Sequence, residues 1–371
     1  MSFSGIVMLV VSVSFVVACL DRCLGNKFGL AASLENGFNL MGAIALSIVG
    51  MICFSPILAK LLQPIVIPVY QLFGADVAMF APTFLSGDSG GYAIASELSQ
   101  DPQMVRFAGL IVGTLVGPII SFTIPVAIGM IKKHDTKYFA TGIMAAFIAA
   151  PFGCFLGGIS CGLSAGKAIV NLIPIFIFSA VMAIALFFAS AAVIRIFSVF
   201  ARGIMIIITI GLAIATFQSL TGLVFIEGMG DINTGFITTG IVTLIIAGSY
   251  PLAFMLEKLF KKPLGTLGKW LDMNDAAVSG LIISFVTALP AFATYEKMNS
   301  HGKVMLAAFA GTTAYLIGPH LGYVSAMDKS MIMPMFLAKC SAGIIAMVVA
   351  SLFAKRIFSN ERKSELEAVS Q

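Results

Sequence analysis

The stretch APTFLSGDSGGYA, residues 81–93, sets a Gly–Ser linker and one acid, Asp88, between two apolar runs. Its surroundings are too apolar for a soluble loop. Of the 371 residues, 59% are hydrophobic and 11% are charged, with a mean hydropathy of +1.03. A soluble domain carries about a quarter charged residues. Apolar runs of about twenty residues recur from end to end, the length a helix needs to cross hydrocarbon. The chain therefore reads as an all-α integral membrane protein, and a soluble enzyme is excluded. Gly- and Pro-rich backbone at membrane depth is tolerated only where it is buried in protein or lines a wet cavity. Residues 81–93 accordingly mark where a transport path is to be sought.

Eleven apolar segments run at approximately 3–20, 38–59, 66–97, 104–131, 138–160, 168–194, 203–226, 237–259, 276–296, 303–327 and 333–356. Two halves about 200 residues apart resemble each other in collinear order. SGIVMLVV (4–11) matches RGIMIIIT (202–209), and Gly42 and Gly50 match Gly240 and Gly248. Pro64 falls on Pro263, Asp76 on Asp275, Glu97 on Glu296, and Gly117-Pro118 on Gly318-Pro319. Eleven simple crossings would put the basic clusters at 257–269 and 354–363 on opposite sides, against the rule that Lys and Arg stay cytoplasmic. The conflict disappears if 66–97 and 276–296 are hairpins that enter the membrane and return. Arg22, Lys27, the 131–137 cluster, Arg195, Arg202 and the later basic residues then share the cytoplasmic face, and Glu227 and Asp231 lie outside.

The predicted architecture is a polytopic helical transporter with two inverted repeats, each carrying a broken helix or re-entrant hairpin, as in many secondary transporters. Residues 1–160 form the first repeat, 161–201 a linking transmembrane helix, 202–358 the second repeat, and 359–371 a cytoplasmic tail. The first run has no basic residue before it, so it reads as a first transmembrane helix and not as a cleaved signal. The net charge of +5 is dispersed through short loops and is no nucleic-acid footprint. There is no Cys-x-x-Cys, the three histidines are far apart, and no P-loop occurs, so neither metal, cofactor nor ATP is expected.

Asp88 has two compatible readings. It caps the second half of the hairpin through the N–H of Gly90 or Gly91, or the same carboxylate also faces a cation. No basic residue lies between Lys60 and Arg106 to neutralise it. A lone charge at membrane depth costs at least ~2.5 kcal/mol, so a transported amine is a fitting partner. Ser86, Ser89 and Thr287 offer hydroxyls to a substrate or to backbone freed at the breaks. Tyr92, Tyr323, Phe84 and Phe292 offer rings for cation–π contact or for packing. His320, inside an apolar stretch beside a helix-breaking proline, is a packing residue or a titrating polar contact. Glu97 and Glu296 sit at hairpin exits, and Asp76 and Asp275 read as N-caps.

GDSGGYAIASEL, NGFNLMGAIALSIVGM, PILAKLLQPIVIPVY, NLIPI, MNDAAVSGL, GKV and HLGY together resemble the ethanolamine permease family encoded with bacterial ethanolamine-utilisation genes. The likeness runs through nearly the whole chain. The family's Asp-x-Gly-Gly corresponds to Asp88, Gly90 and Gly91, its nearby acid to Glu97, and its His-Leu-Gly to His320, Leu321 and Gly322. The chain departs at Pro319, where some members carry an acid, and at Thr287-Ala288, where a pair of amides can precede the proline matching Pro290. The resemblance implies an uptake facilitator of the bacterial inner membrane for ethanolamine, working without ATP and most useful in acid. Its partners would be ethanolamine and the lipid bilayer, with a homo-oligomer compatible and nucleic acid not. A binding set of Ser86, Asp88, Ser89, Gly90, Gly91, Tyr92, Glu97, Thr287, His320 and Tyr323 follows. Two other readings remain open: a proton- or sodium-coupled symporter for a small amine, amino acid or nucleoside-like solute, and a membrane sensor that transports nothing.

Overall fold

The computed structural model describes residues 2–369. Side chains at 355–369 and at most positions from 260 to 270 lie outside the described residues, and so do most of the basic clusters at 257–269 and 354–363 that orient the chain in the sequence. Every regular element among the described residues is helical. That is the outcome lipid imposes, because a helix satisfies its backbone hydrogen bonds within one segment. Seven helices among them are long and apolar enough to span a bilayer, making this a multi-pass membrane protein.

Both interruptions expected from the sequence are present. Helices Phe80–Phe84 and Gly91–Leu98 flank the break at 85–90, and helices Asp275–Ser284 and Leu289–Ala293 flank the break at 285–288. The first hairpin is shorter than its apolar run, because helix Met41–Leu72 continues through Pro56, Pro64 and Pro68. Pro64 therefore starts no hairpin. Asp76 caps the next turn as expected, accepting the Ala78 N–H at 2.8 Å. Asp275 does not cap: Asn274 fills that role through the Ala277 N–H, and Asp275 opens the helix.

The largest departure lies at 165–221. The sequence reading puts a loop at Arg195 and Arg202, yet both sit inside one element, Ala165–Thr221, interrupted at Ala189 alone (φ −143°, ψ 43°). At 57 residues a straight helix would be ~85 Å long, nearly three times the hydrocarbon thickness. The break at Ala189 divides it into two stretches that are each long enough to cross.

The matched halves make reciprocal contacts. A Cβ on Gly50 would strike the Ile208 carbonyl, and one on Gly248 would strike that of Val11, so each half's first helix packs against the other half. The breaks dock in the same way. The Leu85 carbonyl rests on Gly117 and the Val286 carbonyl on Gly318, each too close for any side chain. The same device fastens helix Thr136–Ser160 to the last helix, where Gly153 and Gly157 meet Ala338 and Pro334. Small residues let backbones approach where lipid gives no hydrophobic drive between helices.

Opposite membrane orientation of the halves is our proposal from the charge pattern. It is checked with Gln100→Cys and Lys297→Cys, both exposed hairpin-exit positions, in a background lacking the exposed Cys23 and Cys340. An impermeant maleimide should label the first in intact cells and the second only after permeabilisation. Labelling of both from one side would sink the inversion.

Candidate functional site

The two breaks meet around a cavity of about 220 Å³. One wall is the start of helix Met41–Leu72 with Leu40, and the break at 85–90 supplies Ser86, Asp88 and Ser89. Tyr250, Thr287, Leu289, Tyr315, Pro319 and His320 close it from the second half, with Phe122 beside them. Five of the expected residues are thus gathered here: Ser86, Asp88, Ser89, Thr287 and His320. Ser86 and His320 stand 234 positions apart in the chain, yet Ser86 Oγ lies 3.5 Å from His320 Nε2.

Asp88 does not cap through Gly90 or Gly91. Its Oδ1 accepts from the Ser86 hydroxyl in a short hydrogen bond and from the Ser89 hydroxyl at 3.5 Å. The Ser89 and Gly91 N–H groups go instead to the Ser86 carbonyl, at 3.0 and 2.9 Å. The Ser86 N–H donates to Ser121 Oγ, which in turn donates to the Gly117 carbonyl. The break is therefore held by backbone and serine bonds, and the carboxylate is left facing the cavity with lone pairs to spare.

Gly90 takes φ +110°, a conformation that favours glycine, with Met51 packed under it. On the opposite side the chain stores strain in a bulkier residue. Tyr315 has φ +66°, and it is held there because its N–H donates to the Ser284 carbonyl while Ile317 N–H donates to that of Phe285. Non-glycine residues in this region cost roughly 1–3 kcal/mol and cluster where function over-determines them. Tyr315 sets its ring 5.4 Å from that of His320, edge to face.

Other expected residues lie elsewhere. Tyr92 and Tyr323 pair with each other, ring centroids 6.3 Å apart, outside the cavity lining. Gly90 and Gly91 shape the break without lining it, and Glu97 is exposed on helix Gly91–Leu98. Phe84 and Phe292 pack in the core. Sequence reasoning missed Tyr250, Tyr315 and Phe122, which carry no local signal, and it missed a buried lysine, Lys339, 2% exposed.

Two ion pairs lie away from the cavity lining. Lys167 meets Asp101 at 2.7 Å and Lys132 meets Glu296 at 2.5 Å. The hydrogen bond from Lys167 holds the Asp101 carboxyl below its ordinary range, and that from Lys132 does the same for Glu296. Such groups contribute stability above their unfolded values, and it is lost as pH falls through the lowered folded values. With carboxylates ordinarily titrating near 4, both pairs stay intact at pH 5.

The family model described as "Ethanolamine utilisation protein, EutH" matches residues 3–353. A "Probable ethanolamine permease EutH" from Listeria monocytogenes is 40% identical over 369 residues, covering 100% of this chain and 99% of the relative. The Escherichia coli protein of the same name is 33% identical over 408 residues, covering 100% of each chain. "Uncharacterized protein YxeR" of Bacillus subtilis is 39% identical, covering 95% of both. No solved structure matches.

Proposed function

The chain belongs to the family of ethanolamine utilisation proteins called EutH, and from that membership we propose that it carries ethanolamine, as its ammonium cation, across the bacterial cytoplasmic membrane. The observation that carries the reading is Asp88. Among the described residues it is the sole carboxylate lining a cavity between two broken helices, and no described lysine or arginine lines that cavity with it. A carboxylate in that position replaces part of the hydration an ammonium loses on leaving water. Hydroxyls of Ser47, Ser86, Thr287 and Tyr315 around it suit the substrate's own hydroxyl. About 220 Å³ holds a molecule of four heavy atoms with room for water.

The cation needs such a path and the neutral amine does not. Each pH unit below the amine's pKa removes about nine-tenths of the uncharged form, by the same logic that governs lysine. Diffusion through lipid therefore fails as the medium acidifies, while a cation path keeps working. Nothing in this scheme requires ATP.

Purified protein in liposomes, supplied with radiolabelled ethanolamine at pH about 5 and about 7.5, tests the reading. Protein-dependent uptake should dominate at the lower pH and be nearly hidden by leakage at the higher one. Uptake at pH 5 no faster than in protein-free vesicles would remove ethanolammonium as the substrate.

A further inference from the structure

A second buried amine lies behind the Asp88 break: Gly113 packs its backbone against Gly87, and the carbonyl of the next residue, Thr114, is held by a lysine. Lys339 lies within the last helix, 2% exposed, and its Nζ donates to the Thr114 carbonyl at 2.6 Å. That carbonyl is vacant for a definite reason. Its helical partner would be the N–H of residue 118, which is Pro118 and has none. The helix is distorted on both sides of the gap, into π turns at Phe107–Val112 and Ile119–Thr123. Lys339 fills a hole that a proline made. Either an ammonium or a neutral amine can donate that bond, so the contact survives loss of a proton.

The titratable groups around Lys339 are Asp88 on the first break, His320 on helix Pro319–Met327, Cys154 on helix Thr136–Ser160 and its own neighbour Cys340. With Asp88 as a carboxylate and Lys339 as an ammonium, one anion and one cation share the interior when the cavity is empty. An arriving ammonium brings a second positive charge to one carboxylate, and like charges in a weakly polarisable interior repel strongly. The interior regains balance if Lys339 gives up a proton.

We propose that Lys339 releases a proton when an ammonium substrate occupies the Asp88 cavity and recovers one when it leaves, so that one substrate cation is exchanged for one proton. The inference rests on the ammonium-transport reading above. In the release step an Nζ–H bond breaks, the electron pair stays on nitrogen, and the proton passes to water on the side from which substrate entered. On the other side, water returns a proton to the same nitrogen after the substrate has gone. Charge and atoms balance over the cycle: one ammonium moves in, one proton moves out.

The test is uptake of radiolabelled ethanolamine into proteoliposomes at pH about 6, under a valinomycin potential of ~100 mV, inside negative, with protein-free vesicles subtracted. A carrier moving the bare cation would gain about 50-fold in accumulation, from about 2.3 kcal/mol per charge at that potential. Wild type is expected to show no gain from the potential and to follow the pH gradient, about tenfold per unit. Lys339→Met has no proton to exchange and should become potential-driven, as should Lys339→Gln, which keeps a donor for Thr114. Potential-driven uptake by wild type would overturn the exchange and leave the transport reading standing, and no protein-dependent uptake at all would overturn both. Variants that remain indifferent to the potential would remove Lys339 as the exchanging group. The wild-type result decides the exchange even if both variants fail to fold.

Discussion

Asp88→Asn is expected to lose protein-dependent ethanolammonium uptake at pH about 5, with the folded protein still present in the membrane. The substitution keeps the shape of the side chain, and Asn can still accept from the Ser86 and Ser89 hydroxyls that hold Asp88 now. The break at 85–90 does not rest on the carboxylate, because its turn is closed by the Ser86 carbonyl and by Ser121. What disappears is the charge. Removing one partner of a buried, hydrogen-bonded charge pair costs about 2–5 kcal/mol, which corresponds to a loss of roughly 30- to several-thousand-fold in affinity. Initial rates at substrate well below saturation read that loss directly, and size-exclusion profiles of the purified variants check the fold. Asp88→Glu keeps the charge on a longer stem and should retain part of the activity. Equal uptake by wild type and the Asn variant would reduce Asp88 to a partner for two serines, and His320, the remaining ionisable residue of the lining outside the tyrosines, would take its place in the search.

Asp88 was legible because the chemistry around it is local. An acid in a run of Gly and Ser, between segments that must be in lipid, has few things it can do, and 85–90 shows all of them within six residues. The two breaks were legible for the same reason, since Gly and Pro act on their own stretch of backbone. Lys339 was invisible. In FLAKCSAG it reads as one charge in an apolar helix, and only the fold places it against a carbonyl 225 positions earlier that lost its partner to Pro118. Tyr92 and Tyr323 show the opposite error: both lie beside the breaks in sequence, but helix phase turns them toward each other and away from the cavity. At Arg195 and Arg202, charge suggested a loop. The helix instead runs on through them, and its single irregular residue is Ala189, which no composition rule distinguishes from its neighbours.

Asp135 carries the same lesson into stability. It stands in the basic stretch IKKHDTK, which reads as a solvated loop, yet its side chain is 1% exposed and its Oδ1 lies 2.6 Å from Lys303 Nζ, itself 9% exposed. The Lys303 ammonium lies 5.9 Å from the centre of the Tyr138 ring and 6.0 Å from that of Tyr295, and the Tyr295 hydroxyl donates to the Lys303 carbonyl at 2.8 Å. The pair thus joins the turn before helix Thr136–Ser160 to the helix that follows the second hairpin. Asp135→Ala should cost about 3–5 kcal/mol, because a buried ammonium is left without its anion. By contrast, Glu296→Ala breaks a pair whose two side chains are 55% and 57% exposed, and exposed, solvent-screened pairs contribute little to stability. Thermal unfolding in detergent should therefore separate two contacts of almost equal length. The double variant Asp135→Leu with Lys303→Met decides why. If desolvation dominates, apolar replacement of both partners recovers most of the loss, and the coupling between the sites is large. If the double variant is as unstable as Asp135→Ala, the pair holds the hairpin in place by its own attraction, and uptake should fall together with stability.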